Sequence, residues 1–180
     1  MAHCVYCPEE EIQLMKEQGV YVAHCPQSNT NLSSGIAPVK LYLEQGIHTG
    51  LGTDIAGGHS LSMLRAVSDS IQVSKLHWRY IDSNRKPLTF EEAFYIGTMG
   101  GGEFFGKTGS FLEGYEFDAV ILDDTYFPHP QPLTVRERLE RLTYLSDASC
   151  NPYQGQRCTQ NMRLIPCPVP EQTGNWTTEP

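Results

Sequence analysis

The stretch from Gly50 to Met63, GLGTDIAGGHSLSM, constrains the fold more than any other part of the chain. Apolar residues lead up to a single carboxylate, Asp54, and a diglycine then separates that carboxylate from a segment typical of a helix start. Because glycine adopts backbone conformations that other residues avoid, the chain can turn sharply at this diglycine. Asp54 is therefore predicted at the carboxyl end of a buried strand, where α/β proteins concentrate their binding and catalytic groups.

Short apolar strands and helices alternate along the first hundred residues. The strands are predicted at 20–23 and 47–51, and Met1–His3 has the pattern of a further strand end. Strands that are apolar on both faces are typical of parallel sheets covered by helices, either in an open sheet or in a (β/α) barrel. Four helices are predicted: the first begins at Pro8 and ends at Gly19, and the second runs from Val39 to Gly46. The third starts at a Ser60 cap and has Leu61 to Leu76 along its apolar face, and the fourth runs from Thr89 to Met99.

The connecting segments and the second half of the chain give weaker patterns. Residues 27–35 are interpreted as a polar loop, and Gly100–Gly102 as a helix C-cap because this triglycine lacks the lysine and spacing of a phosphate-binding loop. A turn with flanking strands is predicted at 109–114, a strand at 117–122, and a helix at 135–145 capped by Thr134. Residues 148–180 are rich in proline and lack periodicity, so an irregular or disordered tail is expected there.

Charge and hydropathy exclude two classes of partner. The formal net charge of −8 argues against a nucleic-acid surface, which needs clustered Lys and Arg. No apolar run approaches the roughly 20 residues that cross a bilayer, and the N-terminus lacks the pattern of a signal peptide. No membrane association and a cytoplasmic location are therefore expected. Cys4 and Cys7 form a C-x-x-C pair that suits a redox or zinc-knuckle site, but reduced, unpaired thiols are favoured because no second pair stands at zinc-finger spacing.

The candidate site residues are Asp54 and His3, and each has two interpretations. Asp54 either caps the following helix or binds a metal such as zinc and transfers a proton from the water that the metal activates. His3 is either structural or polarises the substrate and the activated water. His24 is either a core histidine or part of a pocket wall, and His59 is a candidate for the mouth of the site. A catalytic zinc needs about three protein ligands, and neither H-x-H nor H-E-x-x-H occurs in the chain.

Several blocks together resemble the C-terminal part of the metal-dependent amidohydrolases, and most closely the guanine deaminase family. The resemblance covers residues 3–122 and continues more weakly to residue 147. The block GLGTD is shared with the wider deaminase and chlorohydrolase group, whereas GLGTDIAGG followed by Ser60 and SML is more specific. The matching segments are AHCVY at 2–6, AHCP at 23–26 with Ser28 and Asn29, GLGTD at 50–54 with Gly57 and Gly58, the glycines at 100–101, and 109–122.

This resemblance implies an α/β fold that is a partial (β/α)8 TIM-type barrel with part of a small β-rich domain. Residues 1–100 would form the C-terminal part of the barrel, and 101–147 the return into the small domain plus a helix. Asp54 would be the metal ligand and proton shuttle on the eighth strand. His3 would approach the activated water from the sixth strand, and both would contact the substrate. The family reaction converts guanine and water to xanthine and ammonia with zinc (Zn2+), and the full-length enzyme would be a homodimer.

Other family features have no counterpart in the 180 residues. They are the H-x-H pair of the first strand, the metal histidine and the glutamate of the fifth strand, and an arginine that reads the purine. The chain is therefore expected to be a truncated form that begins near the sixth strand and is inactive alone. Two alternatives stay open: an amidohydrolase that acts on another purine, a pterin or a triazine, and a non-catalytic fragment or partner that completes the barrel of another subunit.

Overall fold

The structure is a computed structural model, and it describes residues 1–122, 124, 127–145 and 163–164. None of the helices in these ranges combines the length and hydrophobicity needed to cross a bilayer. The strands are β1 (Val22–His24), β2 (Thr49–Leu51), β3 (Val120–Ile121) and β4 (Arg163–Leu164). The helices are α1 (Glu9–Glu17), α2 (Pro26–Asn31), α3 (Val39–Glu44), α4 (Met63–Tyr80), α5 (Phe90–Ile96), α6 (Met99–Gly102) and α7 (Val135–Leu145), with a 3₁₀ turn at Glu103–Phe105.

A small parallel sheet positions the candidate site. β1 pairs with β2 in parallel along the full length of both strands. The N-terminal segment lies along the opposite edge of β1, where Ala2 forms a parallel bridge with Ala23 and the His3 N–H donates to the Ala23 carbonyl at 2.9 Å. Three parallel segments therefore lie side by side with β1 in the middle, and the predicted parallel sheet is confirmed. Because they all run in the same direction, their carboxyl ends meet at one edge of the sheet.

The helices bury their apolar sides against this sheet and against one another. Tyr42 of α3 is fully buried, and its hydroxyl donates to the Cys4 carbonyl. This bond ties α3 to the segment that carries His3. One core cluster joins α1 and α3 to β1, and its buried members are Cys4, Ile12, Met15, Val22, Tyr42 and Ile47. Another cluster joins α4 to α5, and its buried members are Val67, Ile71, Phe90 and Ala93.

Two predicted helix starts are confirmed by their hydrogen bonds. Thr89 and Glu92 form a capping box at the start of α5, so that each side chain accepts from the backbone N–H of the other residue. Thr134 precedes α7 with the same exchange, because the Glu137 N–H donates to the Thr134 hydroxyl oxygen and the Glu137 carboxylate accepts from the Thr134 N–H. Both signals are local in sequence, which is why they can be recognised without the fold.

The start of α4 lies two residues after the predicted one. The Ser62 hydroxyl oxygen accepts from the Arg65 N–H and caps the helix. Ser60 is engaged elsewhere, since its N–H donates to the Gln27 side chain and its hydroxyl accepts from the Ser62 N–H. The expected apolar face is also shorter than predicted, because Leu61 and Leu76, at its two ends, are exposed.

The glycine-rich segment after α5 also differs from the prediction. α5 ends at Ile96, and Gly100–Gly102 belongs to the short helix α6 instead of ending a helix that extends to Met99. These glycines allow a close backbone approach to β2: a Cβ placed on Gly50 would lie 2.8 Å from the Gly101 Cα. The missing side chains therefore let α6 pack directly on the strand that leads to Asp54.

The predictions for the second half are confirmed in part. The helix at 135–145 is present as α7, but the strand expected over 117–122 comprises only β3, which pairs antiparallel with β4. No strand flanks the turn at 109–114 within the described residues. Apart from β4, the predicted tail at 148–180 lies outside the described residues.

Candidate metal and catalytic site

Three side chains with metal-binding atoms converge at the carboxyl edge of the sheet. The ligand atoms of His3, Cys25 and Asp54 all lie within 4.8 Å of one another. Each residue follows a different parallel segment: His3 the N-terminal one, Cys25 strand β1 and Asp54 strand β2. The parallel arrangement thus brings the two sequence-predicted residues together and adds a third that the sequence did not single out.

The His3 ring faces the Asp54 carboxylate across a short gap. His3 Nε2 lies 3.8 Å from Asp54 Oδ2, and both side chains are partly exposed. On the other side of the ring, His3 Nδ1 lies 2.8 Å from Asn29 Oδ1. An amide oxygen only accepts hydrogen bonds, so Nδ1 carries the proton and Nε2 presents a lone pair in the neutral ring. Two acceptors therefore face each other, and this arrangement suits a proton or a metal cation between them.

The backbone at both residues lies in the left-handed region. His3 has φ 68°, Cys4 has φ 45° and Asp54 has φ 46°. Such conformations cost non-glycine residues about 1–3 kcal/mol each, and they concentrate at active sites and ligand clamps. Aspartate is among the residues that tolerate the region best. The strain at His3 and Asp54 is thus an independent sign that this edge of the sheet is a functional site.

The diglycine after Asp54 is required by the packing of its loop. A Cβ on Gly57 would lie 2.6 Å from Ser28 Oγ and 2.9 Å from Asp54 Oδ2. A Cβ on Gly58 would lie 2.2 Å from the Thr53 carbonyl oxygen. The two glycines therefore let the loop fold back against the Asp54 carboxylate and the start of α2, which explains why this turn follows the aspartate in the sequence.

Cys25 lies directly beneath the exposed pair. Only 4% of the residue is exposed, and its thiol lies 3.6 Å from the Ala23 carbonyl oxygen, to which it donates. Burial, followed by the negative charge of Asp54, raises the pKa of the Cys25 thiol. A Cβ on Gly52 would lie 3.0 Å from Cys25 Sγ, so the glycine at this position makes room for the sulfur. Cys25 is a free thiol, as are Cys4 and Cys7.

A group of buried polar atoms adjoins the three donors. His24 is 1% exposed, and neither ring nitrogen has a hydrogen-bond partner among the described residues. Burial, and to a lesser degree the nearby His3, lowers the pKa of His24 to about 3. The same lack of a partner holds for Gln27 Nε2, Ser28 Oγ and Asn29 Nδ2. Buried polar groups normally have partners, so this edge retains hydrogen-bonding capacity for a ligand or for further polypeptide.

His24 is buried and His59 is exposed, a difference that the sequence leaves open. The burial of His24 places it in the core, but its ring is not satisfied there as a structural histidine would be. His59 is exposed and does not join the cluster. Sequence reasoning missed Cys25 and Asn29, although both stand within a few residues of a predicted strand end, where its own argument placed the chemistry.

The donors fit a zinc ion. Zinc accepts imidazole nitrogen, thiolate sulfur and carboxylate oxygen, and its ligand bonds of about 2.0–2.3 Å give about 3.3–3.8 Å between neighbouring donors in a tetrahedron. The separation of 3.8 Å between His3 Nε2 and Asp54 Oδ2 is close to that value. Small side-chain movements would therefore bring the three donors onto one ion.

Comparison with known proteins gives matches in both sequence and structure. The guanine deaminase of Dictyostelium discoideum is 41% identical over 156 residues, which cover 82% of this chain and 34% of that protein. The crystal structure of guanine deaminase from C. acetobutylicum with bound guanine is 46% identical, with a TM-score of 0.77 over 82% of this chain and 35% of that one. An adenosine deaminase from Xanthomonas campestris with bound zinc is 27% identical, with a TM-score of 0.66 over 77% of this chain and 31% of that one.

The chain spans about a third of the length of each of these relatives. Within that third, the similarity in sequence and the similarity in structure agree, and both extend over most of the described residues. The sequence profile of the amidohydrolase family matches residues 1–152, which include His3, Cys25 and Asp54. The chain therefore belongs to the amidohydrolase family.

Proposed function

We propose that this chain forms the C-terminal part of the catalytic domain of a guanine deaminase-type hydrolase, which converts guanine and water to xanthine and ammonia. One observation carries the proposal: His3 and Asp54 meet at the carboxyl edge of a parallel sheet, in a chain that is 46% identical to a guanine-bound guanine deaminase over most of its length. The order of the parallel segments and the position of the acidic residue are both those expected from the resemblance.

The architecture that follows from this proposal is a (β/α)8 barrel. The N-terminal segment, β1 and β2 would be its sixth, seventh and eighth strands, and residues 101–147 would return into a small β-rich domain. Within the described part of the chain, no strand pairs with the outer edge of β2. In a closed barrel this edge would pair with the first strand, which is not among the described residues.

In the proposed reaction, the residues of this chain act on a water molecule and on the leaving group. Zinc, when bound, lowers the pKa of a coordinated water toward about 7. Asp54 would bind the cation through its carboxylate, take a proton from the attacking water and deliver it to the departing amine. His3, held through Nδ1 by Asn29, would orient that water by accepting a hydrogen bond at Nε2. The water oxygen bonds to C2 of the purine, the C–N bond breaks, and ammonia leaves.

Three further properties belong to the same proposal. The substrate is a small purine, the location is cytoplasmic, and the complete enzyme is a homodimer. The 180-residue polypeptide alone should be inactive, because the described residues offer three donors at most and the sequence lacks the H-x-H pair.

A chimera tests the proposal directly. Residues 1–145 of this chain would replace the matching segment of the C. acetobutylicum enzyme, which would supply the rest of the barrel. The chimera should bind zinc and release ammonia from guanine. Asp54→Asn should lower kcat by at least about 100-fold, since proton transfer contributes about 10²–10⁴-fold. The exposed His59 offers a matched control, and His59→Asn should leave kcat unchanged.

The outcomes of this test are distinct. A folded, zinc-loaded chimera that ignores guanine but deaminates an adenine nucleoside would assign the segment to another branch of the family. A chimera in which Asp54→Asn retains full activity would refute the role given to Asp54. Ammonia release by the isolated 180-residue chain would refute the view that further ligands are needed.

A further inference from the structure

We infer that Cys25 is the third donor of a cation site that this chain forms by itself with His3 and Asp54, and that the site takes a thiophilic divalent cation, such as Zn2+, Co2+ or Cd2+. The inference rests on the metal role proposed for Asp54 and adds a ligand that this role does not require. In this site the His3 Nε2 lone pair binds the cation, whereas in the proposed reaction of the complete enzyme it accepts from the attacking water. It concerns binding alone and needs no turnover of any substrate.

The geometry is the first support. All three donor atoms lie within 4.8 Å of one another, although Cys25 and Asp54 follow different strands of the sheet. The sulfur is held in place because the residue is almost fully buried and the absent side chain of Gly52 leaves space for it. His3 is held from behind by its hydrogen bond to Asn29. The donors are thus positioned before a cation arrives.

The chemistry of the donors is the second support. In the tautomer that donates from Nδ1 to Asn29 Oδ1, His3 Nε2 presents a lone pair toward the Asp54 carboxylate 3.8 Å away. A cation would remove this unfavourable arrangement, and ligation of Nε2 with Nδ1–H bonded to an oxygen is the arrangement that metal-binding histidines favour. A set of imidazole, thiolate and carboxylate donors selects zinc-like and softer cations, whereas Mg2+ and Ca2+ prefer oxygen donors.

Access to the site is the third support. The side chains of His3 and Asp54 are 42% and 39% exposed, so a cation can enter from solvent and reach the buried sulfur beneath them. The neighbouring thiol of Cys4 does not compete for this position. It donates to the Ala2 carbonyl and belongs to the core cluster around Tyr42, and it is not among the grouped donors of the described residues.

Cadmium binding to the purified, reduced chain tests the inference. The three cysteines of the tail, Cys150, Cys158 and Cys167, would first be replaced by serine, so that only the cysteines of the described part remain. Titration with Cd2+ should then give a thiolate-to-metal absorption band that saturates at one equivalent. Cys25→Ser should abolish the band and the matched control Cys7→Ser should retain it. Circular dichroism would verify the fold, and Cys25→Ala provides a second variant if the serine variant is unfolded.

The affinity for Cd2+ of variants at the other two proposed ligands, Asp54 and His3, is the second readout. Asp54→Asn and His3→Gln should each weaken Cd2+ binding at least about tenfold, the lower end of what even loss of an outer partner costs. If Cys25→Ser keeps the band, or Cys7→Ser loses it, the inference is wrong while the metal role of Asp54 stands. If Asp54→Asn binds as tightly as the parent, both the inference and that metal role are wrong.

Discussion

His24 should make the folded chain lose stability as the solution becomes acidic. Its ring is buried, neither nitrogen has a partner among the described residues, and burial lowers its pKa from 6.5 to about 3. The unfolded chain takes up a proton on this ring near pH 6.5, whereas the folded chain does not until about pH 3. Between these values the unfolded state binds more protons, so stability rises with pH through the window and is fully present above pH 6.5.

The size of the effect follows from the pKa in the unfolded chain. At pH 5 the solution is about 1.5 pH units below 6.5, and each unit corresponds to about 1.36 kcal/mol, so the loss is about 2 kcal/mol. This figure holds for any folded-state pKa well below 5. It is a large fraction of the total stability of a small domain, which is about 5–15 kcal/mol.

The assay compares urea unfolding of the chain and of His24→Leu at pH 7.5 and at pH 5. The variant removes the titrating ring but keeps a side chain of similar volume, so its free energy of unfolding should fall by about 2 kcal/mol less than that of the parent. His59→Asn removes an exposed histidine and should behave like the parent. If the parent and His24→Leu lose the same free energy within about 0.5 kcal/mol, the imidazole is not neutral and buried in the folded chain.

Two further substitutions test local packing. Gly58→Ala should lower the free energy of unfolding by about 1–3 kcal/mol in thermal melts, because the added Cβ would lie 2.2 Å from the Thr53 carbonyl oxygen. Gly101→Ala is the control, since the nearest atom to its added Cβ would be 3.4 Å away. Equal losses in the two variants would contradict the argument. Thr89→Ala should lower the free energy of unfolding by about 1 kcal/mol, because it removes the capping box with Glu92. Thr89→Ser keeps a hydroxyl and should retain most of that free energy in urea unfolding. No difference between these two variants would show that the cap contributes nothing.

Local signals in the sequence predict the frame of this structure well. Thr89 and Thr134 mark helix starts through hydrogen bonds to residues three positions away, so the relevant partners are neighbours in the sequence. The carboxyl ends of the parallel strands are also predictable, since an apolar run stops there at a polar residue. The sequence alone therefore predicts Asp54 and His3 at the same edge of a sheet.

The parts that sequence reasoning missed depend on contacts between distant residues. The sequence predicts a polar loop where helix α2 lies, because most of the buried residues of α2 are polar (Gln27, Ser28 and Asn29), and hydrophobic periodicity cannot reveal such a helix. The contribution of Cys25 to the site depends on the register between β1 and β2, which the sequence does not state. Its neighbour His24 is predicted either in the core or in a pocket wall, and its burial without hydrogen-bond partners is visible only in the structure.

The left-handed backbone at Asp54 restricts which amino acids this position can accept. Asparagine and glycine also adopt this conformation readily, whereas valine or isoleucine would distort the loop before any question of metal affinity arises. A random change at residue 54 therefore tends to damage the local shape and the negative charge together. Asparagine is the exchange that separates the two, since it keeps the turn and deletes the charge, and a loss of function in that variant can be assigned to the missing carboxylate and not to a change of local shape.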